Sequence, residues 1–356
     1  LDPASLRKMV AAVNAAGVSL AHDLAGQGIA VGLFHAAPCV QAQDFAGKTV
    51  NLVVGFATGG GYDTYARILS RHYGRLLPGN PAVVVQNQPG GGSLNLANTT
   101  YNAAPADGTH IAFVNSAAAL EPVLGNPQAK FETGKLVWVG NMNKDGVGCA
   151  GWHTAGLKSW ADVVAKGTAK FGGVGAAGTS SQHAYFLKNV LQAPITVITG
   201  YRGTSEINLA MQRGEADVSC GLFVSSVRGP YRAAYEKGEL TMLIQFGKAN
   251  EPYFKNATNV YSLLKSADDK SLTEFIFGQA EIARPLLVPP ATPAPVVAVL
   301  RRAFDATMRD AAFKAEAEKA KIDIQPMTGD ETAKAFAAFS SVPKAIADRA
   351  SKAMKP

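Results

Sequence analysis

The stretch VVGFATGGGYDTYARIL, residues 53–69, decides the fold class. It begins as an apolar run with the pattern of a buried strand. From Tyr62 onward the apolar residues recur at positions 62, 65, 66 and 69, which is the spacing of one helix face. Three consecutive glycines, residues 59–61, separate the two patterns. A strand that turns directly into a helix is the first half of a βαβ unit and predicts a largely parallel sheet.

The same alternation of strand and helix patterns continues along the chain. A second α/β unit covers residues 146–247, and the helical patterns after residue 248 have no sheet of their own. We therefore expect these late helices to return to the first unit. The sequence predicts an α/β protein with two lobes and a cleft between them. Lobe 1 comprises residues 44–145 plus 248–356, and lobe 2 comprises residues 146–247.

Residues 1–43 differ from the rest and have the pattern of a secretory signal peptide. A basic start is followed by the short apolar run GIAVGLFHAAP, and small residues stand at Val40 and Ala42. These features predict cleavage near Ala42 and export to the periplasm. The alternative, an ordinary N-terminal helix, stays open. The apolar run is too short to span a membrane.

Composition excludes some classes of function. The net charge is +7, but the Lys and Arg residues are scattered and no basic run is interleaved with aromatic residues. We therefore expect no nucleic-acid partner. A mild positive field would help to collect anions. Charged residues make up 17% of the chain, below the roughly 25% that is typical of soluble domains.

Cysteine usage leaves the redox state open. Removal of residues 1–43 leaves Cys149 and Cys220, each within an apolar strand-like run. An oxidising compartment permits a disulfide between them, but two buried free thiols agree with the sequence equally well. Neither cysteine belongs to a C-x-x-C motif, and no His/Cys cluster has the spacing of a zinc site. We expect no metal and no cofactor.

Catalytic motifs are absent from the sequence. No G-x-S-x-G elbow and no G-x-x-x-x-G-K-[ST] phosphate loop occurs. The G-x-G-x-x-G spacing at Gly173, Gly175 and Gly178 lacks both a clear preceding strand and an acidic residue about 20 positions later. His183 has no orienting acid nearby, and we expect it on a helix surface. The protein is therefore predicted to bind a ligand and not to be an enzyme.

The glycine turn is instead typical of an anion site. It lies at the carboxyl end of a parallel strand and the amino end of a helix, where backbone N–H groups lack partners and the helix dipole favours negative charge. Glycine lets a ligand approach the main chain closely. Asp63 lies in the same first turn, so its carboxylate must point away from the ligand or cap N–H groups itself. A purely structural turn is the alternative.

Three further turns share this character, at residues 115–119, 175–183 and 200–206. Each follows a strand, and two of them carry several hydroxyl groups. Arg202 is the only cation among them, and a solvated surface arginine is the alternative reading of it. In a two-lobed molecule these turns face each other across the cleft, so their hydroxyl and N–H groups would converge on one small anion.

These motifs, taken in series, resemble the tripartite tricarboxylate transporter receptor family of periplasmic solute-binding proteins. The opening stretch is similar to the family signature G-G-x-x-D-x-x-A-R. The segments that follow the same family order are VVVQNQPGGGSLNLAN, APADGTHIAFVNSAAA, ITGYRGTSEINLAMQRGEADVSC and VPPATPAPVVAVLRRAF. The resemblance covers nearly the whole chain after residue 43.

The resemblance implies a two-lobed periplasmic-binding-protein fold of type II, a Venus flytrap that closes on a small organic carboxylate and passes it to membrane transporter subunits. It also implies a monomer. Carried over to this sequence, and joined to the turn residues above, the expected ligand-binding residues are Phe56, Ala57, Thr58, Gly59, Gly60, Asp63, Ser116, Ala117, Gly178, Thr179, Ser180, Ser181, Tyr201, Arg202, Gly203 and Thr204.

The sequence also departs from the family pattern. Gly55 and Ala57 stand where the family usually has prolines, and Gln88 stands where a basic residue is usual. The segment IARPLLVPP replaces a strand that contains tryptophan. These differences leave the ligand undefined. Two other functions stay open, a two-domain α/β enzyme acting on a small anion and a sensor that reports ligand occupancy to a membrane signalling partner.

Overall fold

The computed structural model describes residues 44–356; the predicted signal segment and Cys39 lie outside the described residues. Two six-stranded sheets organise this part of the chain, in the orders β12-β4-β11-β3-β1-β2 and β10-β9-β5-β8-β6-β7. The first sheet contains β1 (Thr49–Val54), β2 (Ala82–Asn87), β3 (His110–Phe113), β4 (Val137–Asn141), β11 (Pro285–Val288) and β12 (Met327–Thr328). The second contains β5 (Val147–Trp152), β6 (Ala169–Gly173), β7 (Ile195–Thr199), β8 (Val218–Phe223), β9 (Leu240–Gln245) and β10 (Thr258–Asn259).

Helices cover both sheets. In chain order they are α1 (Gly61–Tyr73), α2 (Leu94–Asn102), α3 (Ser116–Ala119), α4 (Trp160–Lys166), α5 (Thr179–Asn189), α6 (Thr204–Gln212), α7 (Val224–Arg228), α8 (Arg232–Glu236), α9 (Ala267–Gly278), α10 (Ala294–Arg309), α11 (Ala311–Lys319), α12 (Gly329–Ser340) and α13 (Lys344–Ala353). None of the helices within residues 44–356 is both long and apolar enough to cross a membrane.

The first sheet is parallel at the point where the quoted stretch lies. Strand β1 pairs in parallel with β2 on one side and with β3 on the other, so the three carboxyl ends meet at one edge. Val50, Leu52 and Val54 are buried on one face of β1 against the apolar side of α1. The sheet is buried and fixes the glycine turn at its edge, as the sequence predicts.

The second sheet contains a disulfide. Strand β5 runs antiparallel to its neighbours β8 and β9. Cys149 on β5 and Cys220 on β8 lie side by side and are bonded, with a distance of 2.07 Å between the two sulfur atoms. Of the two alternatives left by the sequence, the structure has the disulfide.

Three segments connect the lobes: residues 142–146, residues 279–284, and residues 341–343 between α12 and α13. The first two are hydrogen-bonded to each other. The amide of Met142 donates to the carbonyl of Arg284 at 3.0 Å, and the amide of Ala283 donates to the carbonyl of Asn143 at 3.1 Å. Paired crossing segments of this kind form a hinge, because rotation of one lobe against the other can be absorbed at a few positions. The predicted α/β class with two lobes is confirmed.

The late part of the chain divides between the two sheets, unlike the expectation that residues 248–356 return to lobe 1. Strand β10 pairs with β9 of the second sheet. Helices α9 and α13 pack on the core of that sheet through Phe277 and Ala350, among others. The physical reason is that both helices carry an apolar face that matches the second core, whereas α10 and α11 pack on the first.

Candidate functional site

A small cavity lies between the lobes at the carboxyl edge of the first sheet. Its volume is about 30 Å³, room for roughly two water molecules. The first lobe and the hinge line it with Phe56, Ala57, Gly60, Gly61, Tyr62 and Arg284. The second lobe lines it with Val174, Thr179, Ser180, Thr204, Gly221, Phe223 and Ser226.

Three helices begin at this cavity, and each begins in the same way. The N-cap residues of α1, α5 and α6 are Gly60, Gly178 and Gly203, and none of the three helices has a hydrogen bond from a capping side chain. The first N–H groups of a helix carry a partial positive charge, about +0.5 for the whole terminus. Three such termini from both lobes therefore make the cavity electropositive.

The loops in front of α1 and α6 are held by acidic residues of the first helical turn. The carboxylate of Asp63 accepts hydrogen bonds from the amide of Gly59 at 2.9 Å, from Arg67 at 2.8 Å and from Asn87 at 3.0 Å. Burial alone would raise the pKa of Asp63, but these hydrogen bonds outweigh it and hold the pKa below its usual value. Asp63 thus caps the loop itself, and the amide of Gly59 is occupied by that carboxylate.

The second lobe repeats this arrangement with Glu206 and Arg202. Glu206 accepts from the amide of Arg202 at 2.8 Å and pairs with its guanidinium at 2.6 Å. The amide contact is the main reason that the pKa of Glu206 lies below its usual value. The side chain of Arg202 is 70% exposed. Arg202 is therefore a surface arginine, which was the alternative to a role in the cleft.

The hydroxyl groups of the second lobe present hydrogen-bond donors to the cavity. Thr179 accepts from the side chain of Asn115 at 3.0 Å, and Ser180 accepts from the amide of Val174 at 3.0 Å. Thr204 accepts from the hydroxyl of Tyr231 at 3.1 Å. A hydroxyl that accepts a hydrogen bond can donate another, and none of these three donates one to a described residue. The second lobe therefore suits a ligand with oxygen acceptors.

The charged group of the cavity is Arg284, which the sequence reasoning missed. Arg284 is fully buried on the second hinge segment, and its guanidinium lies over the rings of Tyr62 at 4.7 Å and Phe223 at 4.4 Å. Its Nη2 atom donates to Ser225 at 3.0 Å and more weakly to Ser226 at 3.4 Å. Its Nε atom is buried with no acceptor among the described residues.

Asp145, on the first hinge segment, balances part of this charge. Its carboxylate lies 3.8 Å from Nη2 of Arg284 and accepts hydrogen bonds from Ser225 and Asn143. Burial raises the pKa of Asp145 to about 6, although Arg284 and Ser225 act in the opposite direction. The buried pair connects the two hinge segments, and the guanidinium keeps donor capacity for one further anion.

Glycine is required at Gly61 by this arrangement. A Cβ atom added there would lie 2.3 Å from Oγ of Ser226 and 3.2 Å from Nη2 of Arg284. The amino terminus of α1, the hydroxyl of Ser226 and the guanidinium thus share one small space. One feature of the sequence could have identified Arg284, which is a single arginine in the mostly apolar run EIARPLLVPP. A buried arginine costs free energy unless it has a partner, so its presence there indicates a partner or a ligand.

The two lobes also touch on both sides of the cavity. The amide of Ala57 donates to the carbonyl of Arg202 at 3.1 Å, and the hydroxyl of Ser205 donates to the carbonyl of Thr58 at 3.0 Å. On the other side, a Cβ atom on Gly175 would lie 2.5 Å from Cα of Gly91. Backbone therefore packs on backbone there, and the lobes are closed.

The sequence-predicted site residues fall into two groups. Those that line the cavity are Phe56, Ala57, Gly60, Thr179, Ser180 and Thr204. The others are not among the residues that line the cavity: Thr58, Gly59, Asp63, Ser116, Ala117, Gly178, Ser181, Tyr201, Arg202 and Gly203. Among these, Ser181 donates to the carbonyl of Val174 at 2.8 Å, which anchors the turn before α5.

The predicted position of His183 on a helix surface is wrong. The residue is 1% exposed, and its ring lies beside the stacked rings of Phe246 and Phe277, with centroids 4.9 and 4.6 Å away. Burial lowers the pKa of His183 to about 3. The prediction was wrong because α5 is buried on nearly every side, including its polar positions. Within residues 44–356, no group of three or more His, Cys, Asp or Glu residues is arranged to hold a metal ion.

No protein-family profile matches the chain, and no curated protein sequence matches it. Solved structures do. The periplasmic binding protein BugD is 18% identical, with a TM-score of 0.67, over 85% of this chain and 95% of its own. MatC from Rhodopseudomonas palustris, solved with malate, is 17% identical, with a TM-score of 0.66, over 84% of this chain and 98% of its own.

A further R. palustris protein, solved with adipate, is 14% identical, with a TM-score of 0.67, over 86% of this chain and 98% of its own. At these identities the likeness defines the architecture: the chain has the two-lobed fold of the periplasmic solute-binding proteins.

Proposed function

We propose that this protein is a periplasmic receptor of the tripartite tricarboxylate transporter type, which captures a small carboxylate solute and delivers it to membrane transporter subunits. The observation that carries the proposal is the convergence of three glycine-capped helix termini on one cavity that contains the buried Arg284. Such a site stabilises negative charge.

The site is divided between the lobes in a way that couples binding to closure. The first lobe offers the amides of Gly60 and Gly61, and the second offers the hydroxyls of Thr179, Ser180 and Thr204. A solute that contacts both sets can do so only when the lobes are together. Because a ligand shifts a conformational equilibrium by its differential affinity, solute binding favours the closed form.

Two further observations support the choice of ligand and family. The structural neighbours from R. palustris were solved with malate and with adipate, both carboxylates. The series of sequence motifs, from the glycine turn to the VPPATP helix start, follows the order of the tripartite tricarboxylate receptors. A monomer that is exported by its first 43 residues and returns its solute unchanged fits the same function.

Native mass spectrometry of the freshly purified protein, followed by a thermal-shift screen of organic acids and neutral sugars, tests the proposal. We expect one or more acids to raise the melting temperature, because a ligand that binds only the folded state stabilises it by mass action. The recovered solute should be chemically unchanged. A screen in which sugars raise the melting temperature and no acid does so would contradict the proposal.

A matched pair of alanine variants strengthens the screen. Gly61→Ala puts a methyl group against Ser226 and Arg284 and should abolish the shift caused by acids. Gly134→Ala serves as the control, because a Cβ atom there meets nothing within 4 Å and the residue is exposed. If acids raise the melting temperature of Gly61→Ala as much as that of the wild type, the binding site lies elsewhere.

A further inference from the structure

We propose that the disulfide between Cys149 and Cys220 positions the anion site, so that the affinity for the carboxylate solute depends on this bond, and not only the stability of the second lobe. The inference rests on the proposed function and adds two positioning residues to it. Neither cysteine lines the cavity, and both are fully buried, on strands β5 and β8. Their effect on the solute therefore has to pass through other residues of these two strands.

The disulfide lies at an irregularity of the second sheet. Gly148 of β5 is paired with Leu222 of β8, and Ala150 is paired with Ser219. Across Cys149, β8 therefore has one residue more than β5, which makes a β-bulge. On the other side of β5, the pairing with β9 also shifts between Cys149 and Ala150. Because the ladder is irregular on both sides of Cys149, the disulfide is the tie that holds β5 and β8 in register there.

The bulge determines which side chains of β8 face the cavity. Successive residues of a strand point to opposite faces, so a slip of one residue turns every following side chain to the other face. Phe223 lines the cavity, and its ring centroid lies 4.4 Å from the guanidinium of Arg284. Its neighbour Leu222 packs instead in a separate core with Ala150. Loss of the register would therefore put Leu222 in the place of Phe223 beside the arginine.

The residues that follow Phe223 hold the charged groups of the site. The amide of Ser225 donates to the carboxylate of Asp145 at 3.3 Å, and its hydroxyl oxygen accepts from Nη2 of Arg284 at 3.0 Å. Ser226 accepts from the same Nη2 atom at 3.4 Å. Asp145 itself stands shortly before Cys149, on the segment that continues into β5. The disulfide thus ties together the two segments that carry the partners of Arg284.

A second connection runs from the disulfide through Gly221 to α5. Gly221 has a φ of 68°, in the left-handed region that favours glycine, and it lines the cavity. A Cβ atom there would lie 2.9 Å from the amide nitrogen of Ser180 and 3.1 Å from Cβ of Thr179. Because Gly221 directly follows Cys220, movement of the bulge would displace the amino terminus of α5 and the two hydroxyl groups that it presents to the solute.

Isothermal titration calorimetry of a disulfide-free variant tests the inference. Cys149→Ala/Cys220→Ala is titrated with malate, adipate and any other acid that raises the melting temperature of the wild type, at a temperature at which circular dichroism shows the variant to be folded. We expect the affinity to fall about tenfold or more, the equivalent of one misplaced charge-assisted hydrogen bond. If this variant does not fold, Cys149→Val/Cys220→Ala takes its place, because it fills more of the volume of the disulfide.

Nuclear magnetic resonance of the arginine side chains separates positioning from stability and needs no solute. The Nε–H group of Arg284 is buried beside the rings of Tyr62 and Phe223, so ring currents displace its resonance, which is assigned by its absence from the spectrum of Arg284→Met. The resonance should move in the disulfide-free variant. Val163→Ala is the control, because Val163 is fully buried in the same core but lies on α4. This control should lose stability and keep both its affinity and the position of the resonance.

The outcomes separate the inference from the proposed function. A folded disulfide-free variant with unchanged affinity and an unmoved Arg284 resonance would overturn the inference, because the bond would then only stabilise the lobe. An equal loss of affinity in Val163→Ala would overturn it as well. If no acid binds the wild type while a neutral solute does, the proposed function fails, and the Arg284 resonance still decides whether the disulfide positions the guanidinium.

Discussion

The three helices that begin with glycine at the cleft differ from four helices that begin elsewhere. At the cleft, α1, α5 and α6 start with glycine and no capping side chain. Away from it, Ser159, Ser266 and Asp310 each accept a hydrogen bond from an N–H of the first turn, and Thr328 forms a full capping box with Glu331. The helices α2, α8, α10 and α13 have no capping side chain either, and none of them starts with glycine.

The glycine starts leave the first N–H groups of α1, α5 and α6 without a capping side chain, as the proposed anion site requires. A glycine cap costs only a few tenths of a kcal/mol relative to serine, so the uncapped termini cost the fold little. The peripheral caps, in contrast, satisfy the same groups internally and stabilise the fold. The four predictions below address this contrast, from the largest expected effect to the smallest.

Arg284→Met should cause the largest loss, because the cleft then relies on helix termini alone. We expect the affinity for a carboxylate solute to fall on the order of 100-fold or more. Unfolding free energy should fall by about 3–5 kcal/mol, because Asp145 is left buried without its partner. Denaturant titration and calorimetry measure the two effects. The double variant Arg284→Met/Asp145→Asn should recover stability but not binding; recovery of binding would show that Arg284 is only structural.

Gly175→Ala should act as a wedge between the lobes. Its Cβ atom would lie 2.5 Å from the backbone of Gly91, and the residue has no positive φ that alanine would strain. Preventing full closure should weaken solute binding by about tenfold to 100-fold, the cost of an overpacked contact. Small-angle X-ray scattering with saturating solute should show a larger radius of gyration for the variant than for the wild type. A variant that is equally compact and binds as tightly would show that the contact between Gly91 and Gly175 does not control closure.

Gly203→Ser replaces the glycine that begins α6 by a serine, which can cap the helix with its hydroxyl. The serine hydroxyl should cap α6 in place of a solute, so that stability rises slightly while affinity falls about tenfold. Gly203→Ala controls for the added Cβ atom, whose nearest neighbour is the amide nitrogen of Ala57 at 3.3 Å. Thr328→Ala, far from the cleft, should lower the unfolding free energy by about 1 kcal/mol without changing the affinity for the solute. Identical behaviour of the Ser and Ala variants at 203 would argue against capping as the cause.

The pH dependence of binding should be the smallest effect. Burial raises the pKa of Asp145 to about 6, and a solute anion on the same guanidinium raises it further. Binding therefore takes up a proton, and the affinity for a carboxylate solute should rise about three- to tenfold as the pH falls from 8 to 6. In the absence of solute, the contribution of Asp145 to stability is present below its unfolded pKa and is lost as the pH rises through about 6.

Asp145→Asn provides the check on this linkage. The variant should bind with little dependence on pH, and calorimetry in buffers of different ionisation enthalpy should detect no proton uptake. The carboxylate of Asp323 repels that of Asp145 and so also raises the pKa of Asp145. Asp323 is itself paired with Arg228 at 2.9 Å. A pH dependence that survives in Asp145→Asn would show that Asp145 is not the group that takes up the proton.

The glycine turn shows how far the sequence reaches. The apolar pattern of residues 49–54 and the helical spacing after Tyr62 fix the strand, the helix and the edge of the sheet, since local patterns determine local elements. The motif order also predicts that turns of both lobes meet. The sequence could not tell that Asp63 occupies the Gly59 amide, because side-chain direction depends on Asn87 of the neighbouring strand.

The positions of Arg284 and His183 could not be predicted from the sequence, for the same physical reason. Arg284 is placed by packing against Tyr62 and Phe223, which are distant in sequence. His183 is buried by Phe246 and Phe277, which arrive from two other elements. Tertiary contacts of this kind leave no periodic signal along the chain.

A crystal structure of the protein with its tightest-binding organic acid tests the proposed anion site most directly. We expect carboxylate oxygens within about 3 Å of the amides of Gly60 or Gly61 and of the Arg284 guanidinium, with the lobes closed. A solute whose carboxylate lies away from these groups, with Arg284 hydrogen-bonded only to Ala283, Ser225 and Ser226, would contradict the proposal.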